Sequence, residues 1–214
     1  MGGLIPSWKF YQDSLNAVAR PIQMGPVWME AGHLTGMPNQ SSIWMTQPPA
    51  SSYLSCIAVK CAALQSAAAG EVYLRKLREA VMLEGRHIAV QSVLTDIARA
   101  VALEHPDLDE DLFLFDLSTG KGKDAFNKDL NEVQQMQIHR FPTLIFRRVG
   151  MPSLMLSGHK PYVKLLEVMQ QLAPEHSPRK LDPMDEDFIR HWQGAMPREM
   201  AEVSINPTSP PAQS

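Results

Sequence analysis

Cys56 and Cys61 are the only thiols in the 214-residue chain, so any thiol chemistry within it rests on them. They stand five residues apart in a stretch patterned as helix. A rise of 1.5 Å per residue puts their Cα atoms about 8 Å apart and turns the side chains to different faces. That is beyond the roughly 7 Å across which a disulfide closes. Nor is the spacing Cys-x-x-Cys, the pattern of a redox pair. Cys61 shares a face with Leu54, Ile57, Ala58 and Leu64, which predicts a buried structural thiol. Burial raises a thiol pKa and suppresses its nucleophilicity.

Three other groups have residue types suited to chemistry. Gly120-Lys121-Gly122-Lys123 lacks the G-x-x-x-x-G-K-[ST] spacing of a phosphate loop and follows no predicted strand, so a solvated loop before a helix is expected. Asp107, Asp109 and Asp111 match the opening positions of a calcium loop. Leu112 then stands where glycine is required and Ser118 where glutamate is, so the calcium reading fails. The seven histidines, at 33, 87, 105, 139, 159, 176 and 191, show no metal-ligand spacing. His139, just before Phe141, is expected on the surface. No G-x-S-x-G elbow is present. No catalytic set, metal site or cofactor site emerges.

Phe141-Pro142-Thr143 is different, because it opens the one part of the chain that reads as sheet. Leu144-Ile145-Phe146 and Leu154-Met155-Leu156 are short apolar runs closed by Gly150 and Gly158, which predicts a β-hairpin. A proline cannot donate to a ladder and occurs at strand starts or edges. The bond before it is either an ordinary trans peptide or a cis one, which X-Pro adopts at modest cost.

The remaining elements are helical. Tyr162, Leu165, Leu166, Met169 and Leu172 predict an amphipathic helix after the hairpin. Val90, Val93, Leu94, Ile97, Ala98 and Val101 give the cleanest helical stripe. Residues 50–66 predict a helix capped by Ser51 or Ser52 and interrupted at Gly70, and 71–84 a second one ending at Gly85. Pro26 begins or kinks a helix over 21–34. Leu112, Phe113, Phe115 and Leu117 form an apolar patch, and Phe126, Leu130 and Val133 lie on a further helix. Leu4-Ile5-Pro6 reads as the exit of a strand. Residues 185–192 suggest a short helix, and 206–214, rich in Pro and Ser, a disordered tail.

Lys+Arg 20 against Asp+Glu 23 gives a net charge of −3 with the signs interspersed. That argues against nucleic acid as a partner. No 18-residue apolar run is present, so no membrane span is expected. The N-terminus lacks the pattern of a secretory signal, which points to the cytoplasm.

Taken together, Met1-Gly2-Gly3-Leu4, Pro49-Ala50-Ser51-Ser52-Tyr53, Arg75 to Ile88 with Glu84-Gly85-Arg86, and Arg140-Phe141-Pro142-Thr143 resemble the DsbA-like thioredoxin-fold family, in its cytoplasmic FrnE-type branch. The stretches around Phe188 to Trp192 and Arg198-Glu199 extend the resemblance to about Val203. It implies an α/β, thioredoxin-like fold with a large all-helical insertion. Residues 1–10 and 137–173 would be the thioredoxin-like remnant, 11–136 the helical insertion, 174–203 a C-terminal helical extension and 204–214 a disordered tail. It also implies that the chain is N-terminally incomplete, with the first strand, the first helix and the redox motif missing. Phe141, Pro142 and Thr143 then form the substrate-facing loop, with the proline cis. The family's activity is thiol–disulfide exchange on a protein or small thiol substrate, and this chain, without the cysteine motif, should perform it poorly. A non-catalytic adaptor and a kappa-type glutathione transferase or isomerase are the alternatives. An open sheet edge would invite pairing with another copy.

Overall fold

The computed structural model describes residues 1–177 and 195–204. The chain divides into two compact units, Met1–Gln137 and the part from Ile138 onward. The expected helix at 185–192 and the tail at 206–214 lie outside the described residues.

The first unit is helical. Its elements are α1 (Met24–Thr35), α2 (Ile43–Thr46), α3 (Tyr53–Gln65), α4 (Ala67–Met82), α5 (Gln91–Glu104), α6 (Glu110–Thr119) and α7 (Lys121–Gln135). Pro26 is accommodated in the first turn of α1, whose N–H groups have no intrahelical partner. α3 is the hub and packs against α4, α5, α6 and α7. The core around it is built from Ala58, Cys61, Ala62, Tyr73, Leu77, Leu94, Ile97, Ala98, Val101 and Phe113, all buried. A second cluster joins Ile5, Val18, Met24, Ile43, Trp44 and Val81. There Trp44 takes Trp8 and Trp28 edge-on at 6.0 and 5.2 Å between centroids.

Three expectations are corrected. Leu4-Ile5-Pro6 is not a strand. Ile5 N–H donates to Ser52 Oγ and Ile5 C=O accepts from Ser52 N–H, so the start of α3 satisfies the groups a ladder would have used. The break between α3 and α4 falls at Ser66, not at Gly70. Ser66 has extended dihedrals and its hydroxyl accepts from Ala69 N–H at 3.0 Å, an N-cap. Gly70 lies inside α4, where a Cβ would come within 2.7 Å of Ala63 Cβ. Its lack of a side chain lets α3 and α4 approach. Ser66→Ala is expected to cost about 1 kcal/mol in urea unfolding followed by circular dichroism, with the fold unchanged. Finally, the apolar patch at 112–117 is helix α6. Asp109 caps it by accepting from Leu112 N–H at 2.8 Å, and Phe113 on its inner face is fully buried.

In the second unit β1 (Thr143–Phe146) pairs antiparallel with β2 (Leu154–Ser157), in a register running from Thr143↔Ser157 to Phe146↔Leu154. These two strands are the whole sheet among the described residues. The helices α8 (Tyr162–Leu172) and α9 (Pro197–Ser204) follow. The buried stripe of α8 is Val168 and Leu172, with Leu165 and Leu166 half-buried. Tyr162 and Met169, expected on that face, are 55% and 47% exposed. Val168 completes the i, i+3, i+7 spacing with Leu165 and Leu172, and it takes the place assigned to Met169.

Candidate functional site

The hairpin positions the Phe141-Pro142-Thr143 loop at its open end. The Phe141–Pro142 peptide bond is cis. Pro142 stands at the start of the strand, where proline is tolerated, and its carbonyl accepts from Gly158 N–H at 2.7 Å. Thr143 Oγ1 donates to Arg140 C=O at 2.6 Å and stands 3.4 Å from Ser157 Oγ across the strands. Those contacts fix the loop from both sides. Phe141 keeps 39% of its surface exposed. Arg140 lies against Gly158, and a Cβ there would sit 3.2 Å from its Cζ. Arg148 donates to Leu172 C=O and pairs with Glu175 at 2.9 Å, which ties the exit of β1 to the end of α8. His139 is exposed.

The two thiols lie elsewhere, in α3, and both are buried and unpaired. Burial pushes the Cys56 thiol up, against a partial offset from the Gly3 backbone hydrogen bond. Cys61 is fully buried, and its thiol is pushed up to about 11, first by burial and then by the nearby Asp116 charge. A thiol so placed is a poor nucleophile.

Sequence reasoning missed Asp116. It is buried on α6, with Lys121 Nζ 3.1 Å from its Oδ1. The signal was a single carboxylate inside the apolar run Leu112 to Leu117. Gly120-Lys121-Gly122-Lys123 is not a loop. Gly120, at φ +86°, ends α6, and the next three residues are the first turn of α7. Lys121 thus answers Asp116, and Gly122 lies under Cys61. Asp129 of α7 pairs with Lys60 at 3.0 Å and with the Met1 ammonium at 2.5 Å. Burial pushes its carboxyl up, but the hydrogen bonds from these two cations prevail and hold it below the usual range. No group of three or more metal-ligating side chains occurs among the described residues. No helix among them is long and apolar enough to cross a membrane.

The hairpin with Pro142 at its head and the helix after it have the order that the resemblance to a thioredoxin-type fold implied. Residues 1–166 match the sequence model of the family described as thioredoxin, and the chain belongs to that family. Among curated proteins it is similar to the ClpXP adapter protein SpxH of Halalkalibacterium halodurans, 28% identical over 209 residues, covering 95% of this chain and 65% of the relative. The protein of the same name from Bacillus subtilis is 27% identical over 195 residues, covering 89% and 63%. That from Bacillus licheniformis is 29% identical over 185 residues, covering 85% and 59%. The chain therefore spans less than two thirds of the length of these relatives.

Proposed function

We propose that this chain acts without redox catalysis, as a protein-binding adapter that presents a partner to a ClpXP-type protease. The observation that carries the reading is the similarity to ClpXP adapter proteins over 95% of the chain. Two thiols buried in the helical core agree with it, because burial raises the pKa of both and leaves each a poor nucleophile. The similarity favours the adapter over the thiol–disulfide oxidoreductase expectation.

The finer assignment to the DsbA-like, FrnE-type branch is part of this proposal and rests on the sequence resemblance of Arg140-Phe141-Pro142-Thr143 and the helical stretch before it. Residues 137–173 are taken as the remnant of the fold and 11–136 as the helical insertion, with 1–10, expected in the remnant, packed on the helical unit through Ile5. Phe141, Pro142 and Thr143 serve as a partner-facing loop, supported by the exposed Phe141 ring. The working compartment in this reading is the cytoplasm, the expectation drawn from the sequence.

Pulse-chase measurement of protein half-lives tests the reading. Proteins that turn over more slowly when this chain is removed are expected to be a subset of those that slow when ClpX is removed. No overlap between the two sets would overturn the adapter function.

A further inference from the structure

The hairpin has a second surface, on the strand away from the cis-proline. Gly158 N–H donates to Pro142 C=O, which identifies Leu144↔Leu156 and Phe146↔Leu154 as the pairs that exchange hydrogen bonds. The backbone groups of the residues between them point outward, those of Thr143 and Ile145 from β1 and those of Met155 and Ser157 from β2. Among the described residues no third strand takes them.

The two edges are not equivalent. Thr143 and Ile145 are half-buried, whereas Met155 is 48% exposed and Ser157 is exposed. β2 carries no charge and no proline, two devices that protect a strand edge from pairing.

Charge indicates what the edge takes. Residues 138–177 hold five Lys and Arg against two Glu, in a chain whose net charge is −3. Both glutamates are engaged, Glu175 with Arg148 and Glu167 with Lys164. Near the outer edge of β2 the positive charge is carried by Arg140 and Lys160. The Arg140 guanidinium lies against Gly158, just past the end of β2, and Lys160 follows two residues on. Met155 and the exposed Val149 and Met151 of the turn supply apolar surface beside these charges.

We propose that the outer edge of β2 binds an extended, acidic and apolar segment of a partner protein by strand addition. Main-chain hydrogen bonds to Met155 and Ser157 would hold the segment. Its apolar side chains would meet Met155, and its carboxylates Arg140 and Lys160. The inference rests on the adapter reading only in taking a polypeptide as the occupant.

The test is fluorescence anisotropy of the full chain with a fluorescein-labelled peptide, Asp-Val-Thr-Val-Asp-Val-Glu. Saturable binding is expected, weakening as salt screens the exposed charges. The peptide with lysine in place of its acids should bind about tenfold or more weaker, a loss near 1.4 kcal/mol. A similar loss is expected when alternate amides of the acidic peptide are N-methylated, and for the Arg140→Glu, Lys160→Glu double variant. Ser157→Pro removes one outward donor and leaves the β1 ladder intact, so it should weaken binding too. Equal binding of the lysine or N-methylated peptide would overturn the proposal without relying on any variant. A chain that sediments as a dimer dispersed by Ser157→Pro would overturn it in favour of a second copy. Absent peptide binding alongside ClpX-linked turnover sinks this edge and leaves the adapter reading standing. Peptide binding without that turnover does the reverse.

Discussion

Gly122→Ala is expected to destabilise the helical unit by about 2 kcal/mol, although alanine is the better helix former. Two effects of opposite sign meet at this position. Helix propensity favours alanine over glycine by up to about 1 kcal/mol. Against that, a Cβ on Gly122 would sit 2.3 Å from Cys61 Sγ and 3.0 Å from the Ile57 carbonyl oxygen. Overpacking of this kind costs about 1–3 kcal/mol and occasionally more. The steric effect wins because one of the atoms in the way is backbone, so α7 as a whole must move off α3. The other atom can be removed. In a Cys61→Ala background the same substitution should cost about 1 kcal/mol less, a coupling that a double-mutant cycle in urea resolves. Strictly additive effects would mean that the thiol does not occupy the space under Gly122.

How much of this was legible in the sequence depended on how local each determinant is. The stripe from Val93 to Val101 matches α5, whose buried residues are Leu94, Ile97, Ala98 and Val101, because one amphipathic face carries the signal, whereas Val90, expected on it, is the extended N-cap residue and is exposed. The burial of Cys61 followed in the same way from Leu54, Ile57 and Ala58, although Leu64, expected on the same face, is exposed. The hairpin was legible from two apolar runs and their glycines. The expected interruption at Gly70 failed because glycine was read as a breaker, while its role is set by Ala63 on another helix. Gly122 failed similarly, since nothing near it in sequence shows that α3 passes overhead. Asp109 and its capping role were available locally, in an aspartate followed by Glu110 and Asp111, and would have turned the unassigned patch into α6. The residues alone left the peptide bond at Pro142 open between cis and trans, the resemblance implied cis, and the structure has it cis. The loop's role as a partner-facing surface rests on the resemblance rather than on any local pattern.

The native chain is expected to resist thiol reagents. At pH 7 a thiol with a pKa of about 11 is ionised in roughly one molecule in ten thousand. Raising the pKa from 9.0 to about 11 thus lowers the thiolate fraction about a hundredfold before access is considered. Full burial lowers the rate further, because the reagent must wait for local opening. Disulfide-exchange labelling should therefore leave Cys61 at least about a hundredfold slower in the native than in the urea-unfolded chain, and insulin reduction should stay at the dithiothreitol background. The same displacement sets the alkaline behaviour. A group whose folded pKa is raised binds its proton more tightly in the folded state, so its contribution is complete below the unfolded value and is lost as pH rises. For Cys61 that window runs from pH 9 toward 11. Burial, and then the Cys61 charge, also push Tyr73 upward from 10.0, so its loss begins higher on the same limb. Melting temperatures should accordingly fall across this range. Cys61→Ala should flatten part of the fall and adding Tyr73→Phe a later part, with Cys56, whose thiol burial also raises, contributing what is left. An unchanged slope in the double variant would show that the alkaline limb belongs to other groups, and rapid native labelling of Cys61 would return a reactive thiol to the chain and reopen the oxidoreductase reading.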